Sequence, residues 1–170
     1  MQEAGQRRVV PGLMLAALWA LGVVLYAVLG HRHVIPSISP DEFTYGHLAR
    51  SVADGDGLTW NGESVPFRAA LYIYAVAPAW LVSSTTSAYA IAKVIGVALC
   101  ATVVVPTWLL ARRAVGPSLA LVPAGLSLAG TWMLVSAGVL TENLAYPAGV
   151  AALAAIVMTV QRPGSRWLWI

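Results

Sequence analysis

Residues 9–30 read VVPGLMLAALWALGVVLYAVLG, a run without a single charged side chain. A bilayer's hydrocarbon core takes about 20 predominantly apolar helical residues to cross, so this run is long enough to span it. Arg7 and Arg8 stand just ahead of it, which gives the N-terminus the look of a secretion signal. However, the run exceeds the roughly 7–15 residues of a signal-peptide core, and no A-x-A-like cleavage site precedes His31. It reads as an uncleaved signal anchor. Pro11 fits this reading, because proline is tolerated in a first helical turn, where its N–H would have no partner anyway.

Composition agrees. The chain is 59% hydrophobic and 10% charged, whereas soluble domains carry roughly 25% charged residues. Seven Trp and six Tyr against two Phe suit aromatic belts at the two membrane interfaces. The net charge of +3 comes largely from Arg near span ends, and no basic cluster with interleaved aromatics supports a nucleic-acid partner. Cys100 is the lone cysteine, which excludes an internal disulfide and a multi-cysteine metal site.

Four segments are long enough to span: Val9–Gly30, Ala88–Ala111, Gly116–Thr141 and Leu144–Val160. A fifth, Ala69–Ser83, is shorter. If it stays on one side, the pairs Arg7/Arg8, Arg112/Arg113 and Arg162/Arg166 all face the cytoplasm, as the positive-inside rule requires. If it crosses, the last two pairs move outside. The expectation is therefore an all-α integral membrane domain over 1–170, with four spans and a cytoplasmic N-terminus. A five-span arrangement is the alternative. His31–Arg68 then forms a long outer loop, with a helix from Pro40 to about Ala53. A hairpin follows at Thr59–Val65 around Asn61-Gly62, and Ala69–Ser83 lies as an interfacial or re-entrant helix.

The outer loop opens with Ser39-Pro40-Asp41-Glu42, which holds two of the chain's seven acids at a membrane surface. Carboxylates are costly near lipid, so acids placed there are functional candidates. Ser39 suits an N-cap and Glu42 the third position of a capping box, and the helix dipole favours acids in the first turn. Asp41 shares a helical face with Tyr45, Leu48 and Val52, the apolar one, so it is expected to be the positioned acid and a candidate general base. Glu142, beside Asn143 between two apolar runs, would lie on the same side of the membrane. Lys93, near the outer end of the second span, reads first as a snorkelling lysine and second as a phosphate ligand. His31 and His33 read as solvated flank residues, and Trp60, Tyr72 and Tyr74 as interfacial anchors.

Asp41-Glu42-x-x-Tyr45, Ala49-Arg50-Ser51, Asp54-Gly55-Asp56-Gly57-Leu58, Val65-Pro66-Phe67-Arg68 and Leu109-Leu110-Ala111-Arg112-Arg113 follow one another in an order with a counterpart. Together they resemble the N-terminal part of the GT-C integral-membrane glycosyltransferases. The likeness is to the branch using polyprenyl-phosphate sugars, which includes the protein O-mannosyltransferases and the lipid A aminoarabinose transferase. The resemblance implies two juxtamembrane helices in the first outer loop. It implies a catalytic carboxylate at Asp41, with Glu42 beside it, and a second acid at Glu142, where the aminoarabinose branch more often has Asp. It implies a donor-phosphate contact at Arg68, although the usual Lys-Pro-Pro is here Arg68-Ala69-Ala70, and Lys93 could assist there. The implied reaction moves a sugar from a polyprenyl-phosphate donor to an extracytoplasmic hydroxyl acceptor, at the outer face of a bacterial plasma membrane. No cofactor is required; a divalent cation shared by Asp41 and Glu142 is allowed. Family members usually have several hundred residues and more spans, so the chain is expected to correspond to a truncated module. The alternative from another class is a small non-catalytic multi-pass protein, a transporter or scaffold subunit.

Overall fold

The computed structural model describes residues 2–31, 40–66 and 69–161. Helix α1 (Gln2–His31) is followed by α2 (Pro40–Ala53) and a two-stranded hairpin of β1 (Thr59–Trp60) and β2 (Glu63–Ser64). Then come α3 (Ala70–Val76), which tightens into a 3₁₀ turn over Ala77–Leu81, and α4 (Thr85–Ala101), α5 (Val104–Val115) and α6 (Leu121–Leu126). A 3₁₀ turn at Ser127–Ala129, α7 (Thr131–Val135) and α8 (Glu142–Val160) follow among the described residues. The hairpin turns on Asn61 (φ 52°) and Gly62 (φ 84°), the left-handed pair that Asn-Gly supplies at least cost.

Among the described residues, three helices are long and apolar enough to cross a membrane: Pro11–His31, Thr85–Val115 taken through its bend, and Glu142–Val160. The bend between α4 and α5 follows from Pro106. Proline offers no N–H to the carbonyl of Thr102 and its ring crowds that group, so the helix loosens over Thr102 and Val103. The Thr102 hydroxyl turns back onto the Leu99 carbonyl at 2.6 Å.

Gly116–Thr141 departs from the sequence expectation of a continuous span. Serine hydroxyls interrupt it by competing for backbone carbonyls: Ser127 donates to Ala124 at 2.7 Å and Ser136 to Met133 at 2.5 Å. Gly130 and Gly138 lie just beyond them and add no helix propensity. An interrupted helix among apolar neighbours must have its freed carbonyls satisfied by other side chains. Tyr26 donates to Leu128 at 2.6 Å and Tyr146 to Ser127 at 3.4 Å. The Tyr26→Phe variant leaves the Leu128 carbonyl without this donor in a buried site. We expect it to cost about 1–3 kcal/mol, read as a lowered thermal midpoint of the purified protein in detergent with its helical content unchanged.

Two hydrophobic clusters stack along the bundle. Tyr26, Val97, Cys100, Val104, Ala124, Leu128 and Met133 form one, together with Leu15, Leu18 and Trp108. At that end Arg113 donates to Gln161, and the Arg112 guanidinium lies 4.6 Å from the centre of the Trp108 ring. The other cluster joins α2, α3 with its 3₁₀ turn, the start of α4 and the turn before α8, through Tyr45, Leu48, Ile73, Val76, Tyr89, Val139 and Leu140. The acids Asp41, Glu42 and Glu142 belong to this second end. Tyr72 is also buried here, which corrects its reading as an interfacial anchor; Tyr74 remains half exposed.

Candidate functional site at the acidic end of the bundle

The acidic pair is arranged the opposite way round from the sequence expectation. Glu42 is the buried member, at 2% exposure, and Asp41 is exposed. The packed side of α2 runs through Glu42, Tyr45, Leu48 and Ala49. It is rotated from the Asp41–Tyr45–Leu48–Val52 stripe because α4 and the turn before α8 cover the Glu42 side. Asp41 keeps its place on the stripe, but at the helix start it stays exposed.

Glu42 acts as a bracket. Its Oε1 accepts from the Tyr89 hydroxyl on α4 and, at 2.8 Å, from the backbone N–H of Val139. A Cβ at Gly138 would stand 3.0 Å from the same oxygen, so only glycine lets the turn approach this closely. Ser39, the expected cap, lies outside the described residues.

Lys93 does not snorkel. It is 6% exposed, and its ammonium donates to the Gly30 carbonyl at 2.5 Å and lies 4.9 Å from the centre of the Tyr89 ring. Gly30 is in the last turn of α1, where carbonyls lack helical partners and the dipole favours a cation. Tyr89 thus links Lys93 and Glu42, tying together α1, α2, α4 and the turn that leads into α8.

That turn delivers Thr141 and Glu142 to Tyr45. The Tyr45 hydroxyl is held above its ordinary pKa, first by burial and then by the nearby Asp41 and Glu142 carboxylates, while its hydrogen bond with Thr141 opposes them. It is a neutral phenol at physiological pH, within electrostatic reach of two acids from distant parts of the sequence. The Thr141 hydroxyl also donates to Glu142 Oε2 at 3.3 Å. Below Glu142, a groove of about 370 Å³ follows α8 past Ala145, Tyr146, Gly149 and Val150. Hence the exposed acid Asp41 and the half-buried Glu142 both act electrostatically on Tyr45, and an open apolar groove borders Glu142.

A second layer fixes the start of α8. Asn143 is fully buried, and its amide donates to the Gly138 carbonyl at 3.0 Å and the Tyr72 hydroxyl at 3.3 Å. Its Oδ1 has no hydrogen-bond partner among the described residues. Tyr72 and Asn143 were not singled out from sequence as supports, and only the adjacency of Asn143 to Glu142 hinted at them.

Arg68 and His33 lie outside the described residues, so the expected convergence of Arg68 with Asp41 and Glu142 concerns a position not described. His31 ends α1 and borders a separate cavity. Among the described residues no group of three or more His, Cys, Asp or Glu is gathered as a metal site. Phe43, His47 and Trp60 pack together above α2, with the His47 and Trp60 ring centres 4.4 Å apart. No family model, curated protein or solved structure matches the chain.

Proposed function

We propose that the chain is a membrane glycosyltransferase module of the GT-C kind. In this reading it has four crossings, the interrupted 116–141 stretch being the third, with Asp41 and Glu142 at the outer face. The observation that carries the reading is that two carboxylates distant in sequence both act on Tyr45, with an apolar groove bordering one of them. A lipid-linked sugar needs both features, a channel for its chain and polar groups at the level of its phosphate and sugar.

Asp41, the exposed acid, takes the proton of an acceptor hydroxyl as that oxygen attacks the anomeric carbon. The bond from that carbon to the phosphate oxygen breaks, the electron pair leaves with the polyprenyl phosphate, and the configuration inverts. General-base assistance of this kind contributes about 10²–10⁴ in rate. Glu142 orients the acceptor, or with Asp41 would hold a divalent cation that adds electrostatic stabilisation, and Arg68 stabilises the departing phosphate. Glu42 is a bracket in this scheme and touches no substrate. The expected result with the reconstituted full chain and synthetic polyprenyl-phosphate sugars is transfer to a hydroxyl acceptor. Asp41→Asn should lower kcat at least about 100-fold with an unchanged thermal midpoint. Wild-type turnover retained in Asp41→Asn removes the catalytic assignment.

A further inference from the structure

A cavity of about 270 Å³ lies between α1 and α4, and it shares no described lining residue with the groove along α8. Helical spacing gives it the form of a furrow. Tyr89, Lys93 and Val97 of α4 follow one another at intervals of four and are buried, and with Tyr26 and Gly30 of α1 they make the floor. Thr86, Ala90 and Val94, also at intervals of four, face Ala27 and His31 across it as rims, and these are partly or fully exposed. Rows of every fourth residue run close to a helix axis. The furrow therefore follows the two helices, over about 16 Å of rise from Thr86 to Val97.

The wall does not call for a charged ligand. The Tyr26 hydroxyl donates to the Leu128 carbonyl, the Tyr89 hydroxyl to Glu42 and the Lys93 ammonium to the Gly30 carbonyl, so the polar ends on the floor already have protein partners. The remaining surface is predominantly apolar. Apolar cavities exclude water, and one of about 150 Å³ already accepts a benzene-sized ligand. Filling such a space restores van der Waals partners to the atoms that line it. The room comes from small residues, Ala27, Gly30, Ala90 and Ala137, where leucine-sized side chains would close it.

The surroundings of the furrow indicate what enters it. Both helices belong to segments long and apolar enough to cross a membrane, and exposed Leu25, Val28 and Ile91 flank the rims. In a bilayer these flanks meet hydrocarbon, whose chains run along the same axis as the spans. A volume of about 270 Å³ drawn out along the helices is slender, which suits one unbranched chain better than a methyl-branched one. We propose that the furrow binds an acyl chain of a bilayer phospholipid, laid lengthwise between α1 and α4 and held without regard to headgroup charge. This site rests on α1 and α4 crossing the membrane and is independent of the transferase reading.

Photolabelling of the full chain in detergent tests it, with a phosphatidylcholine probe that carries a diazirine on one acyl chain. Cross-links should map to the α1 and α4 peptides that contain Ala27, Ala90 and Val94. Unlabelled dioleoyl phosphatidylcholine and dioleoyl phosphatidylglycerol should compete equally, and undecaprenyl phosphate no better than either. Ala90→Phe and Ala27→Leu, made separately, fill the furrow from opposite rims, and each should remove most of these cross-links. Each should also remove most of the rise in thermal midpoint, about 5 °C, that saturating dioleoyl phosphatidylcholine gives the wild type. Ala152→Phe, on the exposed side of α8, should leave both readouts unchanged. If one fill variant does not fold, the other decides. Cross-links spread evenly over the spans, cross-links that persist when the furrow is filled, or preferential competition by phosphatidylglycerol or undecaprenyl phosphate would overturn the proposal. Loss of sugar transfer with labelling intact would count against the transferase reading alone.

Discussion

Replacing Glu42 by Ala is expected to be among the most damaging single changes in this chain. The variant strips the acceptor from the Val139 N–H and the Tyr89 hydroxyl together, in a site that is 2% exposed. It also leaves the buried Lys93 without its neighbouring negative charge. Removing one member of a buried charged network costs on the order of 3–5 kcal/mol, about 10 °C in thermal midpoint for a chain of this size. Glu42→Gln removes the same charge but keeps an amide oxygen where Oε1 stands, so it should lose less than Glu42→Ala. Thermal unfolding in detergent separates the two. If Glu42→Ala proves as stable as wild type, the bracket is not what holds the turn before α8.

Gly96→Leu should be comparably severe, for a steric reason. A Cβ at position 96 would stand 2.5 Å from Asn143 Nδ2 and 3.1 Å from the Tyr72 hydroxyl. Asn143 is fully buried and already bonded to Gly138 and Tyr72, so it has nowhere to retreat. Either α4 and α8 separate or the Asn143 network breaks, at a cost of about 3 kcal/mol or more. Gly96→Ala should show a smaller loss of the same kind, while Gly149→Ala, whose Cβ meets no atom within 4 Å, should be close to neutral. A fall in thermal midpoint ordered Leu, Ala, wild type at position 96 is the expected pattern, and an unshifted Gly96→Leu would contradict the packing described.

The parts of this fold that were legible in the sequence are those governed by local rules. Apolar run length located α1 and the α4–α5 helix, Pro40 opened α2, and Asn61-Gly62 placed the hairpin turn. The interruption of residues 116–141 was hidden because Ser127 and Ser136 are compatible with a helix. The break at Ser127 is sustained by Tyr26 and Tyr146, distant in sequence, which donate to the Leu128 and Ser127 carbonyls.

The acidic pair shows the same limit within the candidate site. A stripe of 3.6-residue period identifies one side of α2 as packed but not which neighbours extend past its first turn, and one residue of rotation exchanged Asp41 for Glu42. Lys93 was likewise read from its depth alone, and the end of α1 that receives its ammonium is a tertiary partner. By contrast, the candidacy of Glu142 rested on its position between two apolar runs, which the turn before α8 preserves.

In the proposed transferase reading, Asp41 and Glu142 form one outward-facing site for a lipid-linked sugar. Maleimide labelling in intact cells tests it most directly, with Asp41→Cys and Glu142→Cys made singly in a Cys100→Ala background. The account predicts that a membrane-impermeant maleimide reaches both positions from outside, and that added polyprenyl-phosphate sugar slows both reactions together. Labelling of either position only after permeabilisation, or labelling of both at rates indifferent to the donor, would contradict it.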